Sequence, residues 1–251
     1  MILFISPKYG IRSDAVSLIQ AARARGIRTE TLLNNWRGIE NLVGADERVA
    51  LYGEHPFCEF VAQEMRWNIY QNSLDWIARI PQHFRKRSIR YMTMEEVIDT
   101  EATNQSVLEK RILEPADEPC FQTAIYQSRF PRVPNDTPVL VSTDHEWTAK
   151  FRFVIVNKKI AARCCYRISN VVNTPTIWNT RFEYGGIDDV TFVENLLEQV
   201  NCAPGCVIDV GVIKDAGWAV ASTRPIWTAE LFGCNPAGFL DGLFAACKRD
   251  N

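Results

Sequence analysis

The 251-residue chain is 47% hydrophobic and 23% charged, with a formal net charge of -2 and a sequence pI of about 6.0. Such usage excludes a disordered chain and predicts a packed core, in one large domain or two compact lobes. It also lacks the concentrated basic footprint that most nucleic-acid binders carry.

In chain order, Ile2-Leu3-Phe4-Ile5-Ser6 reads as a buried strand that ends in a turn over residues 7–10. Ser13 or Asp14 is expected to cap a helix running to Arg25, because Val16, Leu18, Ile19 and Ala22 recur at helical spacing. Gly26 stops that helix, and residues 27–33 and 49–53 read as two further strands. A helix over residues 56–65 follows, and this order begins a small parallel α/β lobe. Residues 75–81 predict a short helix with Trp76 and Ile80 on one core, and residues 93–98 another helix. The cluster His83-Phe84-Arg85-Lys86-Arg87, with Arg90, is the only concentrated basic stretch, and it reads as a solvated helix end.

Beyond the polar stretch at residues 99–108 the pattern changes. Residues 110–113, 124–127, 139–142, 152–156 and 160–167 are rich in β-branched and aromatic side chains and predict strands. A helix over residues 192–200 precedes a strand pair, 206–212 and 218–222, joined through Lys214-Asp215-Ala216-Gly217. An apolar helix over residues 236–247 closes the chain.

The opening MILFISPKYG lacks the basic start and long apolar run of a signal peptide. No apolar stretch is long enough to span a membrane, so a cytoplasmic chain without a membrane partner is expected. The eight cysteines form no CxxC pair, and with three histidines they make no zinc signature. Reduced, mostly buried thiols are the expected state. His145 with a cysteine could suggest a thiol nucleophile, but spacing names no third group to orient it. Walker-type, GxGxxG and GxSxG motifs are absent.

Two charged residues stand on apolar strands. Asp209, within Val207-Ile208-Asp209-Val210-Gly211, is either paired or at a solvent-facing strand end. Arg152, between Phe151 and Phe153, reads as an outward alternation, with an anion ligand as the second option. The acidic run Glu114-Pro115-Ala116-Asp117-Glu118 would repel a phosphate.

In their order and spacing these segments resemble the compact ATP-grasp family of phages and bacteria, which look like ATP-dependent carboxylate–amine ligases. The resemblance is carried by Ser6-Pro7, Asn35-Trp36, Leu51-Tyr52-Gly53, Asp75-Trp76-Ile77 and Val139-Leu140-Val141-Ser142. It continues through Glu146-Trp147, Phe151-Arg152-Phe153, Tyr166, Ile208-Asp209-Val210-Gly211, Trp218-Ala219-Val220 and Leu231-Phe232-Gly233-Cys234-Asn235-Pro236. It implies an α/β (α+β) ATP-grasp fold with an N-terminal parallel α/β lobe at residues 1–104. Residues 105–251 would form the ATP-grasp lobe, a mostly antiparallel sheet with helices.

Ligases of this kind activate a carboxylate as an acylphosphate, so they screen a triphosphate with lysines, an arginine and carboxylate-held Mg²⁺. The resemblance assigns Arg152 and Asp209 to catalysis and Asp209 to the metal. It assigns Glu114, Ser142, Thr143, Lys150, Ser222 and Arg224 to cofactor binding. Several charges depart from the family pattern. The phosphate-binding Lys-Pro-Ala-Asp-Asp-Lys reads Glu114-Pro115-Ala116-Asp117-Glu118-Pro119, Glu-x-Arg reads Lys150-Phe151-Arg152, and the metal-binding Glu-x-Asn reads Ser222-Thr223-Arg224. A glutamate facing phosphate turns attraction into repulsion.

The leading expectation is therefore a degenerate member that binds a small anionic ligand or a protein partner. Lys150 and Arg224 would form a new positive site, paired with Asp209 or Glu114 or open to an anion. The alternative is an active ligase that uses ATP and Mg²⁺ on an amino acid, peptide or RNA-linked substrate, with Lys150, Lys158, Arg152 and Asp209 as relocated charges. A third reading is a structural partner protein, with Trp67, Trp178 and Phe182 as interface candidates, although core packing is the simpler place for each. Nucleic acid is a disfavoured partner, and a homodimer is left open.

Overall fold

The computed structural model describes residues 1–8, 12–32, 39–44, 46–103, 111–117, 120–126, 130–169 and 171–249. The expected features at Tyr9-Gly10, Leu33, Asn35-Trp36, Lys110, Glu118-Pro119 and Gln127, and the end of the 99–108 stretch, lie outside these residues.

Strand β1 (Ile2–Ile5) is apolar at every position and wholly buried, as a strand covered on both faces must be. It lies parallel between β2 (Arg28–Thr31) and β3 (Val49–Tyr52). Helix α1 (Ser13–Ala24) buries Ala15, Leu18 and Ala22, while Val16, expected on that stripe, is exposed. The cap also differs from expectation: Arg12 is the N-cap, without a side-chain bond. The Asp14 carboxylate instead accepts the Leu231 backbone N–H at 2.8 Å, so a tertiary contact takes the oxygen that would have capped the helix. Helix α2 (His55–Met65) ends at Arg66 in the left-handed region and leads into β4 (Trp67–Ile69).

Two single-turn helices, α3 (Trp76–Arg79) and α4 (Gln82–Arg85), bring the chain to β5 (Ile89–Thr93) and α5 (Met94–Thr103). Trp76 and Ile80 share one core, as their spacing required. Strands β6 (Arg111–Pro115), β7 (Ala124–Tyr126) and β8 (Pro138–Thr143) join β5 in an antiparallel sheet ordered β5-β8-β6-β7. Sheet pairing thus spans the polar 99–108 stretch, since β5 before it pairs with β8 after it.

Strand β9 (Trp147–Val156) begins five residues before the expected Arg152, and it pairs along its length with β10 (Lys159–Ile168). β11 (Val171–Val172) extends the edge, and β12 (Glu183–Tyr184) with β13 (Ile187–Asp188) forms a small hairpin. Helix α6 (Asp189–Gln199) is capped by Asp188, whose carboxylate accepts the Thr191 N–H at 2.7 Å. Strands β14 (Gly205–Ile213) and β15 (Gly217–Pro225) complete a five-stranded sheet ordered β11-β10-β9-β14-β15. Helix α7 (Pro236–Ala245) stops short of the expected Cys247, because β16 (Cys247–Arg249) pairs antiparallel with β4.

The five-stranded sheet is covered on both faces. Phe151, Phe153, Ile208, Val210 and Val220 pack with α6 and α3 on one side. Val154, Cys164 and Val207 pack on the other with α7 and the parallel sheet. Contact with α7 is close enough to require glycine: a Cβ on Gly205 would collide with the Gly242 carbonyl, and one on Gly242 with Ile226. A third cluster, Met94, Val97, Leu113, Val139 and Val141, seats α5 on the β5–β8 sheet. Trp67 is buried in the first of these cores, and Trp178 and Phe182 are partly buried against core clusters, so all three serve packing. No helix among the described residues is long and apolar enough to cross a membrane.

Candidate functional site

Alternation along β9 sends Phe151 and Phe153 into the α6 core and Arg152 to the opposite face. Antiparallel register sets Asp209 of β14 directly opposite Arg152, and Ser222 of β15 opposite Asp209. The three side chains close on one another. Arg152 Nε donates to Asp209 Oδ1 and Arg152 Nη2 to Asp209 Oδ2, each at 2.8 Å. Ser222 Oγ donates to Oδ2 at 3.0 Å, and Arg152 Nη1 donates to the Glu230 carbonyl.

Both charges are buried, Arg152 2% and Asp209 3% exposed, so Arg152 is not the outward alternation expected from the strand pattern. The fork of the guanidinium matches a carboxylate, and the pairing offsets desolvation that neither charge could bear alone. Burial pulls the Arg152 guanidinium down, and the Asp209 charge and hydrogen bonds raise it above its ordinary value. Its outer plane is covered by the Phe232 ring, 4.1 Å from guanidinium carbon to centroid, and by Tyr166 at 5.8 Å. Phe232 adopts φ 52°, a left-handed conformation that costs a bulky residue about 1–3 kcal/mol and here holds the ring over the arginine. The next residue, Gly233 at φ 93°, leaves the room that Trp178 occupies.

The other expected site residues divide into two groups. Glu114, Ser222 and Arg224 line a cleft of about 370 Å³ together with Glu54, His55, Asn72, Ile77, Asp117 and Leu140. Asn72 ties its wall to β15, donating to Thr223 Oγ1 at 2.7 Å while its own oxygen accepts the Ala203 N–H. Lys150 shares the Arg152 face of β9, and its ammonium lies 4.9 Å from the Trp147 ring centroid. Ser142 and Thr143 stand apart on β8: Ser142 is buried in the sheet, and the Thr143 carbonyl accepts from His145 Nδ1 at 2.8 Å. Lys158 sits at the exposed turn between β9 and β10, away from the cluster.

Burial pushes the Glu114 carboxyl up, against the opposing charges of Arg87, Arg224 and Lys150. Burial likewise lowers Lys150, opposed first by Asp209. Neither an ion pair nor a side-chain hydrogen bond joins Glu114, Lys150 or Arg224 to another of the described residues. Arg87 was not foreseen as a site residue. Far from ending a solvated helix, it is 5% exposed, donates to the Val220 and Ala221 carbonyls at 2.6 and 3.0 Å, and stacks on Trp147 at 5.1 Å. Within the HFRKR run nothing distinguishes Arg87 from its neighbours; only the approach of β15 does. Among the described residues His145 bonds to no cysteine, so the thiol-nucleophile option has no geometry behind it.

Mg²⁺ fits this donor set poorly. Three of the roughly four lone-pair directions of Asp209 are already used, by Arg152 and Ser222. The second oxygen ligand such an ion needs is replaced by Ser222 and the cationic Arg224. Among the described residues no group of three His, Cys, Asp or Glu side chains could hold a metal ion.

Comparison with solved structures places this two-lobed arrangement in a known fold. The D-cycloserine synthetase DcsG superposes with a TM-score of 0.54 at 13% identity, covering 97% of this chain and 99% of its own. D-alanine–D-alanine ligase from Bacillus anthracis, complexed with ATP, gives 0.51 at 13% identity over 98% and 97%. A RimK domain ATP-grasp protein from Sphaerobacter thermophilus gives 0.51 at 14% over 97% and 99%. No curated protein sequence is a significant match. Residues 84–242, more than half of the chain, match a family of ATP-grasp domains, the second family of its clade. The chain belongs to that ATP-grasp family.

Proposed function

We propose that this protein keeps the ATP-grasp cleft but not the ligase reaction, and acts by binding a small anionic ligand or a protein there. One observation carries the reading: Asp209, the carboxylate expected to hold metal, is committed to Arg152 and Ser222. The neighbouring substitutions point the same way. Glu114 stands where a phosphate-facing lysine is expected, and Arg224 where a metal-binding amide is. Electrostatic stabilisation of a triphosphate would therefore have to work against a carboxylate in a partly desolvated cleft.

What the remaining residues can do is orient and neutralise. Arg152 and Asp209 fix β9 against β14, Asn72 fixes the cleft wall, and Arg224 presents a planar cation to the opening. The test is ADP release from ATP and Mg²⁺ in the presence of amino acids, peptides and RNA ends. No turnover above a protein-free blank is expected. Turnover that disappears in Asp209→Asn, with the variant still folded by circular dichroism, would instead establish the active-ligase alternative.

A further inference from the structure

Once Arg152 and Asp209 neutralise each other, the charges left around the cleft do not balance. Arg224 is exposed in the lining, while Lys150 and Arg87 stand close enough to act on Glu114. Arg87 is held by the backbone of β15, but its charge is uncompensated by any carboxylate in contact among the described residues. Three cations thus face one carboxylate, which burial already pushes toward its neutral form. Lys150 and Arg224 have hydrogen-bond donors with no acceptor among the described residues, and a partly desolvated lysine in that state calls for an anion. Ile77, Leu140, Pro115 and Ala116 give the same cleft an apolar wall.

We propose that the cleft binds a phosphate-bearing organic anion without any divalent cation, with Arg224 and Lys150 supplying the positive charge that Mg²⁺ supplies in ligases. It rests on the reading that this cleft binds without ligase turnover. A phosphate group carries up to two negative charges near neutral pH and accepts paired hydrogen bonds from a guanidinium fork. Both match what Arg224 and Lys150 offer, and the apolar wall suits the organic part. A metal ion brought in with the phosphate would meet Arg224 where a ligand oxygen is needed.

Calorimetric titration of the full chain with ADP, pyrophosphate and adenosine, each in EDTA and in excess Mg²⁺, tests this. ADP is expected to bind in EDTA, with Mg²⁺ leaving its affinity unchanged or weakening it. Adenosine is expected to bind far less tightly. Pyrophosphate binding as well as ADP would assign the affinity mainly to phosphate, and ADP alone to phosphate and organic part together. Arg224→Asn should weaken ADP in EDTA by roughly tenfold or more, as loss of a charge-assisted pair does. Lys248→Ala, on the exposed strand β16, should leave it unchanged. An absolute need for Mg²⁺, adenosine binding as tightly as ADP, no binding of either phosphate, or an unaffected Arg224→Asn would each overturn the proposal. None of these results requires ATP turnover, so the non-ligase reading stands or falls separately.

Discussion

The two faces of the five-stranded sheet use the same strands for opposite purposes. On the α6 side, Phe151, Phe153, Ile208, Val210 and Val220 form a continuous apolar core. On the other side, one residue out of step, Arg152, Asp209 and Ser222 form a buried polar knot, with Lys150 and Arg224 on adjoining positions. The apolar face gains stability from every side chain it buries, about 1.5–3 kcal/mol for a large one. The polar face gains little net stability, since the attraction of a buried ion pair is largely spent on desolvation. What that face fixes is the position and charge of the cleft floor. Change can therefore accumulate at its open end, at Lys150, Ser222 and Arg224, while the fold persists.

Substitutions can break or sharpen this contrast. The largest losses are expected from Arg152→Ala and Phe153→Ala, each about 3–5 kcal/mol in chemical denaturation, for different reasons. The first strands a buried carboxylate and the second opens a cavity. The double variant Arg152→Met, Asp209→Leu separates the two causes: it should recover most of the loss, because removing both charges removes the desolvation cost. If it is as unstable as Arg152→Ala, the polar face contributes more to folding than argued above. Next in size, Gly242→Ala should cost about 1–3 kcal/mol by forcing α7 away from Ile226 on the sheet. Asn235→Ala should cost about 1 kcal/mol, since the Asn235 side chain accepts the Ala237 N–H at 2.9 Å at the start of α7.

The smallest effects are those of pH. Burial holds the His145 ring down at about 4, against an ordinary 6.5, so its neutral form belongs to the folded state. The unfolded chain takes up that proton first as pH falls, and stability should decline between those values. Glu47, hydrogen-bonded to Arg28 at 2.6 Å, is held down at about 2 against an ordinary 4.5. Its contribution is complete above 4.5 and lost as pH falls toward 2. Melting temperatures of His145→Gln and Glu47→Gln, measured across both ranges, should each flatten the slope in one range only.

Much of the fold was legible because its strands and helices carry local patterns. The all-apolar β1 and β3 and the β-branched β8 and β14 needed no partner to be recognised. Elements defined only by distant pairing were not legible. β4 and β16 are three residues each, and lie 180 residues apart where Asn68 meets Lys248. The first half of β9, Trp147-Thr148-Ala149-Lys150, is too polar to announce a strand, and is one because β14 and β10 flank it.

The site was legible by letter and not by partner. Losses at Glu114, Ser222 and Arg224 are visible in the sequence, but nothing in the 57-residue separation of Arg152 and Asp209 shows that each completes the other. Arg87 was missed for a like reason, since its acceptors are backbone carbonyls on β15. Asp14 shows the converse: a sound local capping signal lost to a carboxylate–amide bond with Leu231.

The central claim is that Asp209 is committed to protein partners and holds no metal. Manganese binding, followed by electron paramagnetic resonance with ATP present, tests it most directly. Mn²⁺ should partition between protein and free nucleotide identically for the wild type and Asp209→Asn, with no stoichiometric protein site. A one-to-one Mn²⁺ site that vanishes in Asp209→Asn would contradict it.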